Sequence, residues 1–242
     1  MSSSNAGIRE VRVWDFPTRL FHWTLAVLIV VAWLTGEEEG AAAIHRLAGE
    51  AIAGLIVFRV IWGFVGGEHA RFSDFAAGPR LISGHVKNVL SGKPERHLGH
   101  NPLGGVAVFL LLIVTALVVA TGLFSGDEGF AGPFAGMWGL ELSELHEGLF
   151  RVLQALVVIH LIGVAVESAL TKDRLTPAMV TGRKKRRADE AGADAREAPA
   201  IVLLAAALVG FATSALLMSL PASQVSNGDD AHQEEMEHED ED

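Results

Sequence analysis

The sequence predicts an all-α integral membrane protein, a four-helix transmembrane bundle with one additional C-terminal transmembrane helix. Three observations carry this. Half of the 242 residues are hydrophobic, several apolar runs reach the ~20 residues needed to cross a bilayer, and the charges gather in the segments between those runs.

Helices are expected at 20–36, 45–65, 103–124, 146–170 and 200–220, each bounded by charge, Gly or Pro. The first is short for a span and must borrow residues from the preceding WDFPTR stretch. It follows a leader containing Asp15 and Pro17 with no small-residue cleavage site, so it reads as a permanent helix rather than a secretion signal. The expected organisation is a cytoplasmic segment 1–19, a working four-helix domain 20–170, a basic cytoplasmic linker 171–199 containing Arg183, Lys184, Lys185, Arg186 and Arg187, a fifth helix 200–220 and an acidic disordered tail 221–242.

Orientation follows from the basic residues. Of nineteen Lys and Arg, residues 1–19 hold three, 66–102 five and 171–199 eight, whereas 37–44, 125–145 and 221–242 hold none. The positive-inside rule therefore puts the N-terminus in the cytoplasm and, after five crossings, the C-terminus in the periplasm of a bacterial inner membrane. The net charge of −10 is mostly a property of residues 229–242, which carry nine acidic groups and no basic one. No feature points to nucleic acid.

Cysteine is absent, which excludes c-type haem attachment, thiolate-ligated iron–sulfur clusters and disulfides. Any redox centre must be held by histidine. His146 and His160 lie fourteen residues apart in one apolar segment, close to four whole turns, so both leave the same helix face about 21 Å apart. His22 and His45 mark two earlier helices. By depth, His22 matches His160 in the inner half of the bilayer and His45 matches His146 in the outer half. Any one of these histidines alone reads more readily as a packing or interfacial group. Four that sort into two depth-matched pairs point to two bis-histidine sites for non-covalent haem b. Such iron is saturated, so the expected chemistry is electron transfer.

Haem propionates favour arginine partners. Arg59, fourteen residues after His45, is the best candidate; Arg19, Arg46 and Arg151 are further ones, with a snorkelling role equally compatible for Arg19 and Arg46. Gly49, four residues beyond His45, gives a macrocycle access to the backbone, as do Ala26 after His22 and Gly163 after His160; ordinary helix packing explains each singly as well. His69, His85, His97 and His100 read as solvated loop histidines, with Asn101 and Pro102 setting the entry into the third helix and an inner quinone pocket near His100 the weaker option. His232 and His238 belong to the tail, whose expected use is long-range attraction of a basic electron carrier.

The motifs VWDFPTRLFHW at 13–23, IHRLAGE at 44–50, FRVIWGFVG at 58–66, GHNPLGG at 99–105 and ELHEGLFRVLQALVVIHLIGV at 144–164, ending in MVTGRKKR, resemble the bacterial cytochrome b561 family and the cytochrome b subunit of nickel–iron hydrogenases. The resemblance covers residues 11–187. It implies a four-helix core with two b haems, ligated by His22, His45, His146 and His160, exchanging electrons between quinone and a partner at the outer face; the fifth helix and acidic tail depart from that pattern. Two directions stay open. The main expectation is quinol oxidation with delivery to a periplasmic c-type cytochrome, a quinol:acceptor oxidoreductase activity. The alternative is a membrane anchor for a hydrogenase or dehydrogenase that passes electrons to quinone. The hydrogenase subunits carry additional histidines just before the motif matching His146, where this chain reads MWGLELSEL, which favours the first. A histidine-based metal transporter is a remote third reading, since deep carboxylates are scarce beyond Glu50 and Glu167. A homodimer is compatible with the sequence, and nothing in it requires one.

Overall fold

A computed structural model describes residues 9–93, 95–127, 130–186 and 193–221. The acidic tail from residue 222 onward, with His232 and His238, lies outside the described residues, as do residues 1–8 and Arg187.

The elements in chain order are β1 (Arg9–Arg12), α1 (Phe16–Thr35), α2 (Ala42–Val65), the single turn α3 (Phe72–Phe75), α4 (Pro79–Leu90), α5 (Pro102–Gly122), β2 (Gly126–Asp127), β3 (Phe130–Ala131), α6 (Ser143–Thr171), α7 (Leu175–Thr181), β4 (Arg183–Arg186) and α8 (Ala200–Ser219). Five of these, α1, α2, α5, α6 and α8, are long and apolar enough to cross a membrane. The chain is an all-helical multi-pass membrane protein, as expected.

The helix starts have local causes. α1 does draw on the WDFPTR stretch: Asp15 is its N-cap, accepting from the Thr18 amide at 2.8 Å, and Pro17 sits in the first turn, where its missing N–H costs nothing. The second Asp15 oxygen accepts from Trp62 Nε1 at 3.1 Å, so one carboxylate both starts α1 and ties it to α2. At α5, the Asn101 side chain accepts from the Gly104 amide at 2.6 Å, with Pro102 opening the helix.

α2 is the central helix. It packs against α1, α5 and α8, and half of its apolar window is buried, against 6% for that of α6. α5 packs against α6. The bundle is thus two hairpin-like pairs, α1–α2 and α5–α6, in contact through α2 and α5.

The fifth helix is more than an appended anchor. It meets α2 backbone to backbone: a Cβ on Gly54 would lie 2.3 Å from the Gly210 carbonyl oxygen and 2.1 Å from Ser214 Oγ. Between helices in lipid, where water gives no hydrophobic drive, such small-residue contact is a main source of association. Nearer the α8 N-terminus, Trp62, Ala70 and Ala206 form a buried cluster. Both ends of α8 are also tied, Arg196 to Glu68 through backbone and side chain, and the Leu220 carbonyl to the Arg46 guanidinium. Glu68 is held below the usual carboxylate range by these bonds from Arg196.

The basic run is structured up to Arg186. β4 pairs antiparallel with β1, Arg9 opposite Arg186 and Arg12 opposite Arg183, and Val11, Val13, Trp14 and Ala178 form a small core beside the pair. α7 sits inside the segment expected to be a linker. A further element not anticipated is α4, amphipathic and lying between the second and third spanning helices.

Candidate functional site

The four histidines on the spanning helices come together across the two helix pairs. His45 on α2 and His146 on α6 face each other with ring centroids 6.2 Å apart and planes at 83°. His22 on α1 and His160 on α6 lie within electrostatic reach of each other. α6 therefore supplies one histidine to each pair, and its partners come from the other helix pair.

The His45–His146 pair is held by backbone. His45 Nδ1 lies 2.8 Å from the Ala32 carbonyl oxygen of α1, and His146 Nδ1 lies 2.8 Å from the Val118 carbonyl oxygen of α5. A carbonyl oxygen only accepts, so each Nδ1 must carry the proton and each Nε2 is left with a lone pair. Thr121 Oγ1 stands 3.3 Å from the same His146 nitrogen. Each ring also lies on a glycine: a Cβ on Gly122 would be 2.9 Å from His146 Cε1, and one on Gly36 would be 3.3 Å from His45 Cε1. Glycine at these two positions lets the imidazole sit close against a neighbouring helix.

The other pair is built differently. His22 Nδ1 is buried without a hydrogen-bond partner, and the ring packs edge-on against Trp23 at 5.0 Å. At the same end of the bundle lies Arg59, only 3% exposed, with its guanidinium 5.0 Å from the Phe72 ring centre and 6.0 Å from that of Phe21. Its Nη1 is buried and unpartnered. A buried cation with an unused donor calls for an anionic group.

The remaining arginines are placed elsewhere. Arg46 donates from Nε to Glu50 Oε1 at 2.8 Å and through its other arm to the Leu220 carbonyl. Arg19 donates to the Val180 carbonyl at the end of α7. Arg151 pairs with Glu147 on an exposed stretch of α6. Around Gly49 and Gly163, a Cβ would meet no other heavy atom within 4 Å.

Sequence reasoning missed the packing of the loop histidines. His100 is wedged between Trp14 and Phe75, at ring-centroid distances of 4.6 and 4.5 Å. Burial, with Arg59 and Lys184 nearby, pushes its imidazole down to about 3, so it is neutral at any physiological pH. His69 Nδ1 pairs with Asp74 at 2.7 Å. His85 is 4% exposed on α4. The signal that could have found it is helical spacing: Ile82, His85, Val86 and Val89 recur at three- and four-residue intervals after Pro79.

These residues fit a haem held by two imidazoles. Two nitrogens each about 2 Å from one metal, plus about 1 Å from each nitrogen to its ring centre, give a centroid separation of about 6 Å, as at His45–His146. The protonated Nδ1 atoms on carbonyls are the arrangement that orients a ligating imidazole. Among the described residues no three His, Asp or Glu side chains stand together in ligand range.

The model of the family described as prokaryotic cytochrome b561 matches residues 13–182, and the chain belongs to this family. Membership implies haem b. A protein of Rhizobium leguminosarum bv. viciae named "Probable Ni/Fe-hydrogenase B-type cytochrome subunit" is 26% identical over 215 residues, covering 73% of this chain and 89% of the relative. Relatives of the same name from Azotobacter chroococcum mcd 1 and Azotobacter vinelandii are 28% and 31% identical over 212 and 147 residues, covering 71% and 49% of this chain and 87% and 60% of theirs. No solved structure matches the chain. α8 begins after the family match ends.

Proposed function

We propose that this member of the cytochrome b561 family is the membrane-anchoring cytochrome b subunit of a hydrogenase or related dehydrogenase, moving electrons between that partner and quinone through two haem b groups. His45 and His146 hold one haem, and His22 and His160 the other. The single observation that carries this is the His45–His146 pair, whose spacing and committed Nδ1 protons leave two Nε2 lone pairs for one metal.

The expectation from sequence put quinol oxidation to a c-type cytochrome first. The relatives carry hydrogenase cytochrome names, and that moves the anchor reading ahead of it. The lack of histidine in MWGLELSEL remains the observation on the side of quinol oxidation.

Haem supplies reversible one-electron chemistry when bound. The chain's own part is to fix each ligating nitrogen. At His45–His146 the backbone does this through Ala32 and Val118. At His22–His160, Arg59 offers its unused donor to a propionate, where a charge-assisted bond in a low dielectric is strong. With His45 and His146 holding one haem and His22 and His160 the other, each would supply electron transfer only. Along α6 the two histidines are about 21 Å apart by helix rise, which suits stepwise transfer across the bilayer. The charge distribution supports an outer, periplasmic position for the His45–His146 site and a cytoplasmic N-terminus.

The test is a reduced-minus-oxidised visible spectrum with haem-to-protein stoichiometry on the purified chain. Two b haems per chain, falling when His22, His45, His146 or His160 becomes Ala, is the expected result; a colourless protein refutes the reading. Co-purification with hydrogenase subunits, or electron delivery to a c-type cytochrome instead, then separates the two directions. Reporter fusions at each terminus check the orientation.

A further inference from the structure

α4 carries a polar side chain that the proposed electron path does not use. His85, in the middle of that helix, is 4% exposed, and neither of its ring nitrogens has a hydrogen-bond partner among the described residues. Burying an imidazole with both nitrogens unsatisfied costs free energy that the unfolded, hydrated ring does not. Such a group calls for a ligand.

Its nearest aromatic neighbour is a second histidine. The His97 ring lies with its centroid 5.6 Å from that of His85 at an interplanar angle of 72°. No hydrogen bond joins them, although one imidazole could donate to the other. His97 Nδ1 instead lies 3.1 Å from the Glu95 carbonyl oxygen, which makes that nitrogen the donor and leaves Nε2 with its lone pair. The loop carrying His97 is fixed next door, where Arg96 Nε meets both Asp173 oxygens at 2.8 Å. The charges that act on His85 are the carboxylates of Glu167, on α6, and Glu95, together with His97 itself. Glu95 Oε1 accepts from Asn88 at 3.1 Å, which leaves its second oxygen.

We propose that His85 and His97 are the protein ligands of a divalent transition-metal site, of the Zn²⁺, Cu²⁺ or Ni²⁺ class, between α4 and the segment that joins it to α5. Imidazole nitrogen suits these ions, whereas Mg²⁺ and Ca²⁺ require oxygen cages. The two nitrogens supply half of a tetrahedral set, and water completes it. Glu167 and Glu95 balance the ion's charge. Burial holds the His85 imidazole below its ordinary value, so it is in the neutral, metal-binding form at pH 7. The site is separate from the four histidines assigned to haem and takes nothing from them.

The experiment is calorimetric titration of zinc alone into the full-length, haem-loaded protein in detergent at pH 7 after chelator treatment. One saturable zinc per chain is expected, weakened at least tenfold by H85N and by H97N. It should persist in the double variant His232→Asn/His238→Asn, and calcium should give no saturable heat. The b-type spectrum should be unchanged in H97N, so a failure here is distinguishable from a failure of the haem assignment. Because His85 is buried and its variant can fail to fold, the partly exposed His97 carries the decision. Absence of saturable zinc binding, binding unaltered by H97N, or binding lost with the two tail histidines would overturn the proposal.

Discussion

Each of the two histidine pairs draws one member from α6, yet the protein treats them differently. His45 and His146 arrive with each Nδ1 on a backbone carbonyl, each ring against a glycine, and their centroids 6.2 Å apart. At the other end, among the described residues, His22 Nδ1 has no hydrogen-bond partner, and the buried Arg59, over the neighbouring Phe21 ring, has an unused donor. One pair is positioned by backbone geometry. The other is a set of unsatisfied polar groups, which under the proposed function an anionic, metal-bearing ligand would satisfy. The lesson is that pre-organisation and charge complementarity are separable ways of building sites of the same chemistry. They should fail differently.

Removing a ligand should erase the distinction, and it has the largest effect. His146→Ala or His160→Ala is expected to lower haem content from two per chain to one, read as pyridine haemochrome against protein. Smaller changes should then reveal it. Gly122→Ala forces a Cβ to 2.9 Å from the His146 ring, so the imidazole must leave its carbonyl. Loss of such an orienting contact weakens metal sites by about 10–100-fold, and the expected result is partial haem loss at the His45–His146 site alone. Gly36→Ala, with its Cβ at 3.3 Å from His45, should act in the same direction and less. Equal loss at both sites would contradict the backbone-positioned reading.

Much of this arrangement can be read in the sequence, because depth and helical period are local properties. Fourteen-residue spacing places His146 and His160 on one face whatever surrounds them, and Asp15, Pro17, Asn101 and Pro102 act on the turn that follows them. What could not be read depends on distant partners. Gly54 and Gly210 are 156 residues apart, and nothing near either names the other. β1 and β4 read as short charged stretches because their pairing is between segments at opposite ends of the family match. The basis of Arg46's commitment is likewise non-local: its second partner is the carbonyl that ends α8. A propionate role predicted for it from its nearness to His45 overlooks that bond. His85 is legible from the helical spacing of Ile82, Val86 and Val89, which the polar composition of a segment between spans masks.

Charge should separate the two sites where geometry does not. Arg59 is the buried cation of the His22–His160 end. Arg59→Gln is expected to lower the midpoint potential of the haem at that site, since removing a nearby positive charge favours the oxidised, more positive metal. The other haem should keep its potential. A redox titration followed at the α-band of each haem reads this directly, and a shift confined to the His45–His146 site would reverse the assignment of Arg59.

The smallest effect expected is at Arg46, and it bears on why the fifth helix is there. Arg46 is one residue from His45, yet its guanidinium bridges Glu50, 2% exposed, and the carbonyl of Leu220, the residue that caps α8. Breaking a buried pair by removing one partner costs about 3–5 kcal/mol where the remaining charge is fully enclosed; Arg46 is partly exposed, so Arg46→Gln should cost less, and the cost should fall on the α2–α8 contact. The expected outcome is a lowered melting temperature with both haems retained and both potentials within a few tens of millivolts of the parent, a kilocalorie-scale perturbation at most for one electron. Overpacking the same interface by Gly54→Ala, with its Cβ 2.1 Å from Ser214 Oγ, should destabilise by about 1–3 kcal/mol and also spare the haems. Loss of haem from the His45–His146 site in either variant would mean that α8 is part of that site's scaffold, and that the backbone of α1 and α5 does not position the pair alone.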